Sequence, residues 1–373
     1  MQIKLMKQIK AILVYKKQIL QITLLICLTG ITLAQNTDSL KNTIRSQSDD
    51  AKKLETLYLL CDQSASLHPD TLQVYINLAK KIIAKTGNED AALKMDYYEI
   101  IYFIKKSNAD SAENLINSTV KKLHSTAFIF LKHKILAMKS NILIKSNRQK
   151  EAIENSLQLL SSAEQNADTL SILRSKITLG WAYMELNQYA ESLKWLLDAV
   201  KTDKMVEEKN KQPVLYSNIG AVYNELNQND SAEVYIKQAI DLAIKKKDFT
   251  TLANAYNIYA DINIDQNNNT KAEELLQAAY TIRKQTGDPF FIISDIYQLG
   301  IFYAHIKQPE KGIVLVKEGI DMAKKSHLEA KLPILYEALA ENYRIAGKLV
   351  LYSETLKEII NLKDSLYKNN SAE

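Results

Sequence analysis

From Gly180 onward a small side chain returns every 40 residues, at Gly180, Gly220, Ala260, Gly300 and Ala340. Each follows a larger residue (Leu179, Ile219, Tyr259, Leu299, Leu339), and four of them are followed three places later by a tyrosine: Tyr183, Tyr223, Tyr303 and Tyr343. Self-similarity at a fixed period of roughly 20–50 residues means stacked copies of one supersecondary unit, each burying its apolar face on its neighbours. The architecture follows from the period. A ligand does not, because one scaffold serves many functions.

The unit is helical. Glycine and proline number only 9 and 5 in 373 residues, and the strong helix formers Leu, Ala, Lys and Glu, together with Ile, dominate. Each period holds two amphipathic runs, for example Ile172 to Leu186 and Tyr189 to Val200, with apolar residues three and four apart. Short polar breaks separate them at Asn187-Gln188, Asn227-Gln228-Asn229-Asp230, Asn267-Asn268-Asn269, Gln308-Pro309 and Gly347. Asparagine tolerates the left-handed backbone that ends a helix, so here it is expected to do the work glycine usually does. Asp110-Ser111 and Asp230-Ser231 are expected to supply N-cap side chains to the second helices.

Two further small positions keep the register. Ser192, Ala232, Ala272 and Gly312 stand 12 residues after the first, and Ala199, Ala239, Ala279 and Gly319 seven beyond that. The strings Leu179-Gly180…Tyr183…Ser192…Ala199 and Ile219-Gly220…Tyr223…Ala232…Ala239 resemble the tetratricopeptide repeat, a helix-turn-helix unit. The resemblance implies an all-α, right-handed superhelical solenoid of about eight repeats. It departs from the family in two ways: the usual terminal proline is missing, and a period of 40 rather than 34 implies helices nearly one turn longer. Long-helix variants of this kind resemble bacterial peptide-sensing regulators and the periplasmic proteins and sensor ectodomains of Bacteroidota. Weaker copies extend upstream through Ser140 with Ala152, Ile100 with Ala112, and Leu60 with Ala79. The boundaries are therefore weak repeats at 52–168, strong repeats at 169–367 and a tail at 368–373.

Residues 1–34 read differently. Five lysines and no acid or arginine precede an apolar run from Ile19 to Ala34 that ends in small residues, the pattern of a secretory signal peptide. An uncleaved anchor is the alternative, although the run is short of the ~20 residues a spanning helix needs. Cys27 follows Ile26, where lipid-attachment signals carry a small residue. A linker at 35–51 leads into the repeats. Without the five lysines the remaining basic residues equal the 43 acidic ones, so a near-neutral chain offers no nucleic-acid footprint. Cys61 is then the sole cysteine, which excludes an intramolecular disulfide. These features point to a periplasmic or secreted protein.

No reaction centre is legible. The histidines His68, His124, His133, His305 and His327 have no metal-binding spacing, and no phosphate loop or nucleophile elbow occurs. No cofactor or metal is expected, and the histidines read as helix-surface or interface residues. Trp195, on a second helix, reads as packing.

In the family resembled, first helices line the concave surface. The inward positions are then six and three before the small residue, and one, four and five after it. They give Lys94, Lys105, Lys134, Asn141, Lys145, Arg174 and Trp181 in earlier units, and Asn224, Glu225, Asn254, Asn257, Asp261, Asp265, Tyr297, Glu337 and Glu341 in later ones. Asn218 precedes Ile219-Gly220, where related long repeats carry a peptide-contacting asparagine. One reading is a solvated helix face. The other is a bipolar groove in which a peptide's acidic part meets Lys134 and Arg174, its basic part meets Asp261 and Glu341, and asparagine amides hydrogen-bond its backbone.

Six Asp-Ser/Thr-aliphatic triplets, at Asp38, Asp70, Asp110, Asp168, Asp230 and Asp364, are similar to the O-glycosylation site of periplasmic Bacteroidota proteins; helix capping accounts for the same pattern. The function expected is a non-catalytic envelope scaffold or adaptor that binds a protein or extended peptide, with no nucleic acid and no membrane span after signal removal. The alternative is a ligand-sensing ectodomain of a truncated or split sensor system, since Asn361-Leu362-Lys363-Asp364-Ser365-Leu366-Tyr367 resembles the end of the repeat region in such sensors.

Overall fold

The structure, a computed structural model, describes residues 42–44, 46–47, 49–64, 69–106, 108–286, 289–326 and 328–370. The expected signal at 1–34, His68, His327 and the Asp38 triplet lie outside the described residues. Two compact units divide the chain, residues 1–218 and 219–373. The first holds α1 (Asp50–Ser64), α2 (Pro69–Thr86), α3 (Glu89–Lys105), α4 (Ala109–Lys122), α5 (Ile129–Lys145), α6 (Gln149–Gln165), α7 (Thr169–Glu185), α8 (Tyr189–Asp203) and the start of α9 (Pro213–Glu225). The second holds the rest of α9, then α10 (Asn229–Lys246), α11 (Phe249–Asp265), α12 (Asn269–Thr286), α13 (Pro289–His305), α14 (Pro309–Lys325), α15 (Leu332–Ile345) and α16 (Leu349–Asn370). Taken in sequence these helices form helix-turn-helix pairs of a tetratricopeptide-like solenoid, with no strand among the described residues.

The 40-residue ruler resolves into two steps of 20. α5, α6 and α7 each run 17 residues, and three-residue turns at 146–148 and 166–168 separate them. Each turn holds a left-handed residue: Asn147, Ala167 and Asn187 in the first unit, Asn227, Lys247, Asn267 and Lys307 in the second. The hydrogen bonds are those of a Schellman close. After α7 the Gln188 N–H donates to the Tyr183 carbonyl at 2.9 Å and the Asn187 N–H to that of Met184 at 2.8 Å. The recurrent tyrosine thus contributes its backbone carbonyl to the turn. Asparagine takes the left-handed site at 187, 227 and 267 as expected, whereas at 307 a lysine stands there just before Gln308-Pro309.

The caps differ from expectation. α4 is capped by Asn108, whose side chain accepts from the Ser111 N–H, and α10 begins after Gln228 with no side-chain cap bond. Asp110 and Asp230 sit inside the first turn instead, because the turn ends two residues earlier than the aspartates suggest; there they favour the helix N-terminus electrostatically. Asp168 does cap α7, through the Ser171 N–H.

Close helix contact explains the small residues. A Cβ on Gly220 would lie 2.5 Å from Ile236, sixteen positions on, and one on Gly319 2.7 Å from Ile296. Ser192 Oγ donates to the Gly180 carbonyl across 2.7 Å. Buried leucine, isoleucine and alanine fill the space between pairs, as in the Leu54–Leu57–Leu60–Leu72–Ile76–Met95 cluster of the first unit and the Ile293–Ile296–Val316–Leu335–Leu339 cluster of the second. No helix among the described residues is long and apolar enough to cross a membrane.

Candidate functional site

In the first unit, residues six before the small position lie on one side of successive first helices. Lys94 and Lys134 are exposed and Arg174 is half-buried. Lys134 Nζ stands 5.9 Å above the Tyr97 ring, and Lys94 Nζ 5.8 Å above Tyr58. Burial pushes the Tyr97 phenol up, and the Arg174 charge offsets part of that shift. Arg174 of α7 therefore acts on a residue of α3, two first helices away. Trp181 is half-buried, packs against the cluster of Leu143, Ile144, Ala152 and Ala182, and donates from Nε1 to Glu185 at 2.8 Å. Asn218, at the end of this unit, is half-buried on α9.

The second unit gathers carboxylates. Burial, then the neighbouring Asp265 and Glu225, push Asp261 up to about 7, since like charges in a poorly hydrated place disfavour ionisation. No ion pair or hydrogen bond engages Asp261 among the described residues. Asn224 lies one residue from Glu225, and its Oδ1 is buried with no hydrogen-bond partner among the described residues.

Three positions before the small residue the structure departs from the simple inward map. Asn257 is only 8% exposed and its Nδ2 donates to Asp295 Oδ1 at 2.7 Å. This position packs between consecutive first helices, α11 against α13, and so faces the neighbouring helix. Asn254 is also engaged: its Oδ1 accepts from buried Arg283 Nη2. Arg283 Nε lies 3.6 Å from Asp295 Oδ2, and its guanidinium stacks 4.3 Å from the Phe291 ring. Burial raises Asp295 to about 6 despite the opposing pull of Asn257 and Arg283. Tyr297 packs partly buried on the α13–α15 core. Glu341 is bound to Arg344 at 2.6 Å, which holds its carboxyl below the usual range.

Sequence reasoning missed Arg283 and Asp295, which lie outside the inward register. A regular signal did exist: Asp295 follows Asn257 by 38 residues, close to one period, so cross-repeat pairs can be sought at that spacing. His133 reads in the sequence as a helix-surface or interface residue, with no sign of its partners. It is fully buried, with Nδ1 2.9 Å from Asp168 Oδ2 and Nε2 2.9 Å from Ser162 Oγ. The arrangement has the composition of a nucleophilic triad but not its surroundings. Ser162 sits in the last turns of α6, where outward carbonyls rather than N–H groups would face a developing oxyanion. It ties α5, α6 and the cap of α7 together. No cluster of metal-ligating side chains occurs among the described residues.

Comparison with known proteins agrees with this organisation. Tetratricopeptide repeat models match residues 172–202 and 214–243. The regulatory protein RapK of Bacillus subtilis (strain 168) is 25% identical over 156 residues, 41% of this chain and 42% of that relative. The match thus spans about two fifths of the relative's length. Among solved structures, the apo form of the quorum sensor NprR from B. thuringiensis superposes with a TM-score of 0.61 at 16% identity, covering 91% of this chain and 95% of that one. A Rap protein complexed with competence and sporulation factor gives 0.56 at 14% identity, covering 86% and 98%. At such identities the likeness is one of fold.

Proposed function

Since the chain carries tetratricopeptide repeats, we propose that it is a non-catalytic scaffold that binds a protein or an extended peptide on the first-helix faces of its units. The observation that carries this reading is Asp261. A carboxylate crowded by Asp265 and Glu225, with no cation beside it among the described residues, is unfavourable in the free protein. A ligand ammonium or guanidinium relieves that cost, so binding is favoured where folding alone is not. In the first unit Lys134 and Arg174 offer the opposite charge. The similarity to NprR and to a Rap protein bound to a factor supports a peptide or protein partner. The basic, apolar start of the chain supports work in the bacterial envelope, in the periplasm or outside the cell.

The test is capture from the envelope fraction of the source cell with three baits: the natural chain, Arg174→Glu with Asp261→Lys, and a control changed on a second-helix surface, Lys194→Glu. The reading expects a partner retained by the first and third baits and lost from the second, with equal helicity throughout. Equal retention by all three would remove the first-helix face as the binding surface.

A further inference from the structure

Lys94, Lys134 and Arg174 occupy one register position on three successive first helices, α3, α5 and α7, all within the first unit. Several other cations of this unit are paired, Lys80 with Glu99, Lys85 with Asp50, Arg148 with Glu113 and Glu151, and Lys176 with Asp198, while others such as Lys81, Lys122 and Lys132 have no ion pair among the described residues; what sets the three apart is their shared register position. Among the described residues no carboxylate pairs with Lys94, Lys134 or Arg174. Two of the three rest on aromatic faces instead, Lys94 on Tyr58 and Lys134 on Tyr97.

Those rings belong to one cluster. Tyr58 stacks on Tyr98 with centroids 6.1 Å apart, and Tyr97 meets Tyr98 edge-on at 5.2 Å. Asp62 belongs to this surface too, but it accepts the Tyr98 hydroxyl at 2.8 Å and forms no ion pair with the three cations. A cation over a ring keeps its charge and its remaining donors, so the surface combines unspent positive charge with the half-buried Tyr58 and Tyr97 rings, while Tyr98 is buried in the core.

We infer that this face of the first unit binds an acidic segment of polypeptide, its carboxylates on Lys94, Lys134 and Arg174 and an apolar or aromatic side chain between them against the half-buried Tyr97 ring. The inference rests on the first-helix faces being the binding surface and names the chemistry one of them selects. Spacing sharpens it. Packed helices lie about 8–10 Å apart and an extended chain advances about 3.3–3.6 Å per residue, so carboxylates three residues apart match cations on neighbouring helices.

The test is fluorescence anisotropy on the full chain with labelled, end-blocked dodecapeptides. One probe repeats Asp-Leu-Ser four times; a second has Asn for Asp; a third has the same composition with its four aspartates contiguous; a fourth has Lys for Asp. The Asp-Leu-Ser probe is expected to bind best of the acidic and neutral peptides and to weaken as salt rises. Each of Lys94→Gln, Lys134→Gln and Arg174→Gln should cost about threefold, and the triple variant more than tenfold, with unchanged helicity. Binding of the Lys probe should survive the triple change, because its proposed contact is Asp261.

Equal binding of the Asn probe, or an unaltered triple variant, overturns the inference, and equal binding of the contiguous isomer overturns its spacing. Tighter binding of a labelled single-stranded 12-nucleotide DNA would reassign the face to nucleic acid and overturn it as well. Should the Lys probe bind while the Asp probe does not, this inference fails alone. Failure of every peptide, together with capture indifferent to Arg174 and Asp261, would take the underlying reading with it.

Discussion

Lys247 and Ala167 hold left-handed backbone at φ 56° and 52°, where a side chain costs roughly 1 kcal/mol that glycine does not incur. Their neighbours in register show why the conformation persists: each closes a helix with the same pair of backbone bonds, as when the Asp248 N–H reaches the Ala243 carbonyl at 2.9 Å. Lys247→Gly and Ala167→Gly are each expected to stabilise the fold by about 0.5–1 kcal/mol, the released strain being partly offset by greater freedom of the unfolded chain. Chemical denaturation of the single variants checks this, and lower midpoints would contradict it. The asparagine turns could be read from composition because asparagine is a habitual occupant of this conformation. Those at 167, 247 and 307 could not, since alanine and lysine carry no such signal and only the 20-residue spacing of their neighbours marks them.

Helix pairs were legible wherever one small residue faces one large one. Gly220 against Ile236, and Gly180 against Leu196 sixteen positions later, repeat a steric need that leaves its mark at a fixed period. Polar ties are less regular. Asn342 donates to the Gly300 and Ala338 carbonyls at 2.8 Å and occupies the space beside Gly312, a solution used once and therefore invisible to periodicity. His133 with Asp168 and Ser162 is another such single use. His133→Ala would leave Asp168 and Ser162 without their buried partner and open a cavity, at a cost of about 2–3 kcal/mol. Because repeats touch chiefly their neighbours, hydrogen exchange should accelerate first in α5, α6 and α7. Acceleration confined to the second unit would contradict this role. The candidate face was legible in part for the same reason: charge at the position six before the small residue recurs at Lys94, Lys134 and Arg174, whereas the packing of Asn257 against the next first helix depends on Asp295 of the next pair.

Across the whole molecule, two carboxyls, half-buried Asp261 and buried Asp295, set a pH dependence of stability. Asp261 is raised to about 7 and Asp295 to about 6, so the folded chain holds these protons at pH values where the unfolded chain has released them. Stability from both groups is present below the unfolded carboxyl value near 4, and is lost as pH rises through 6 to 7. Carboxyls held below their usual range, such as Asp168 and Glu341, act oppositely and lose their contribution as pH falls below about 4. Thermal midpoints should therefore rise as pH falls from 8 to 5 and drop at lower pH. Asp261→Asn should flatten the upper limb and stabilise the protein at pH 8 by on the order of 1 kcal/mol. A wild-type midpoint unchanged between pH 5 and 8 would contradict this. The same titration should weaken capture of a basic partner below pH 7, linking the cost borne by the free fold to its use in binding. Hydrogen–deuterium exchange of the chain with and without its captured partner shows whether the first-helix faces hold it. Added protection is expected on α3, α5, α7, α11 and α13, with α4, α6, α10 and α12 unchanged; protection concentrated on those second helices would contradict first-helix binding.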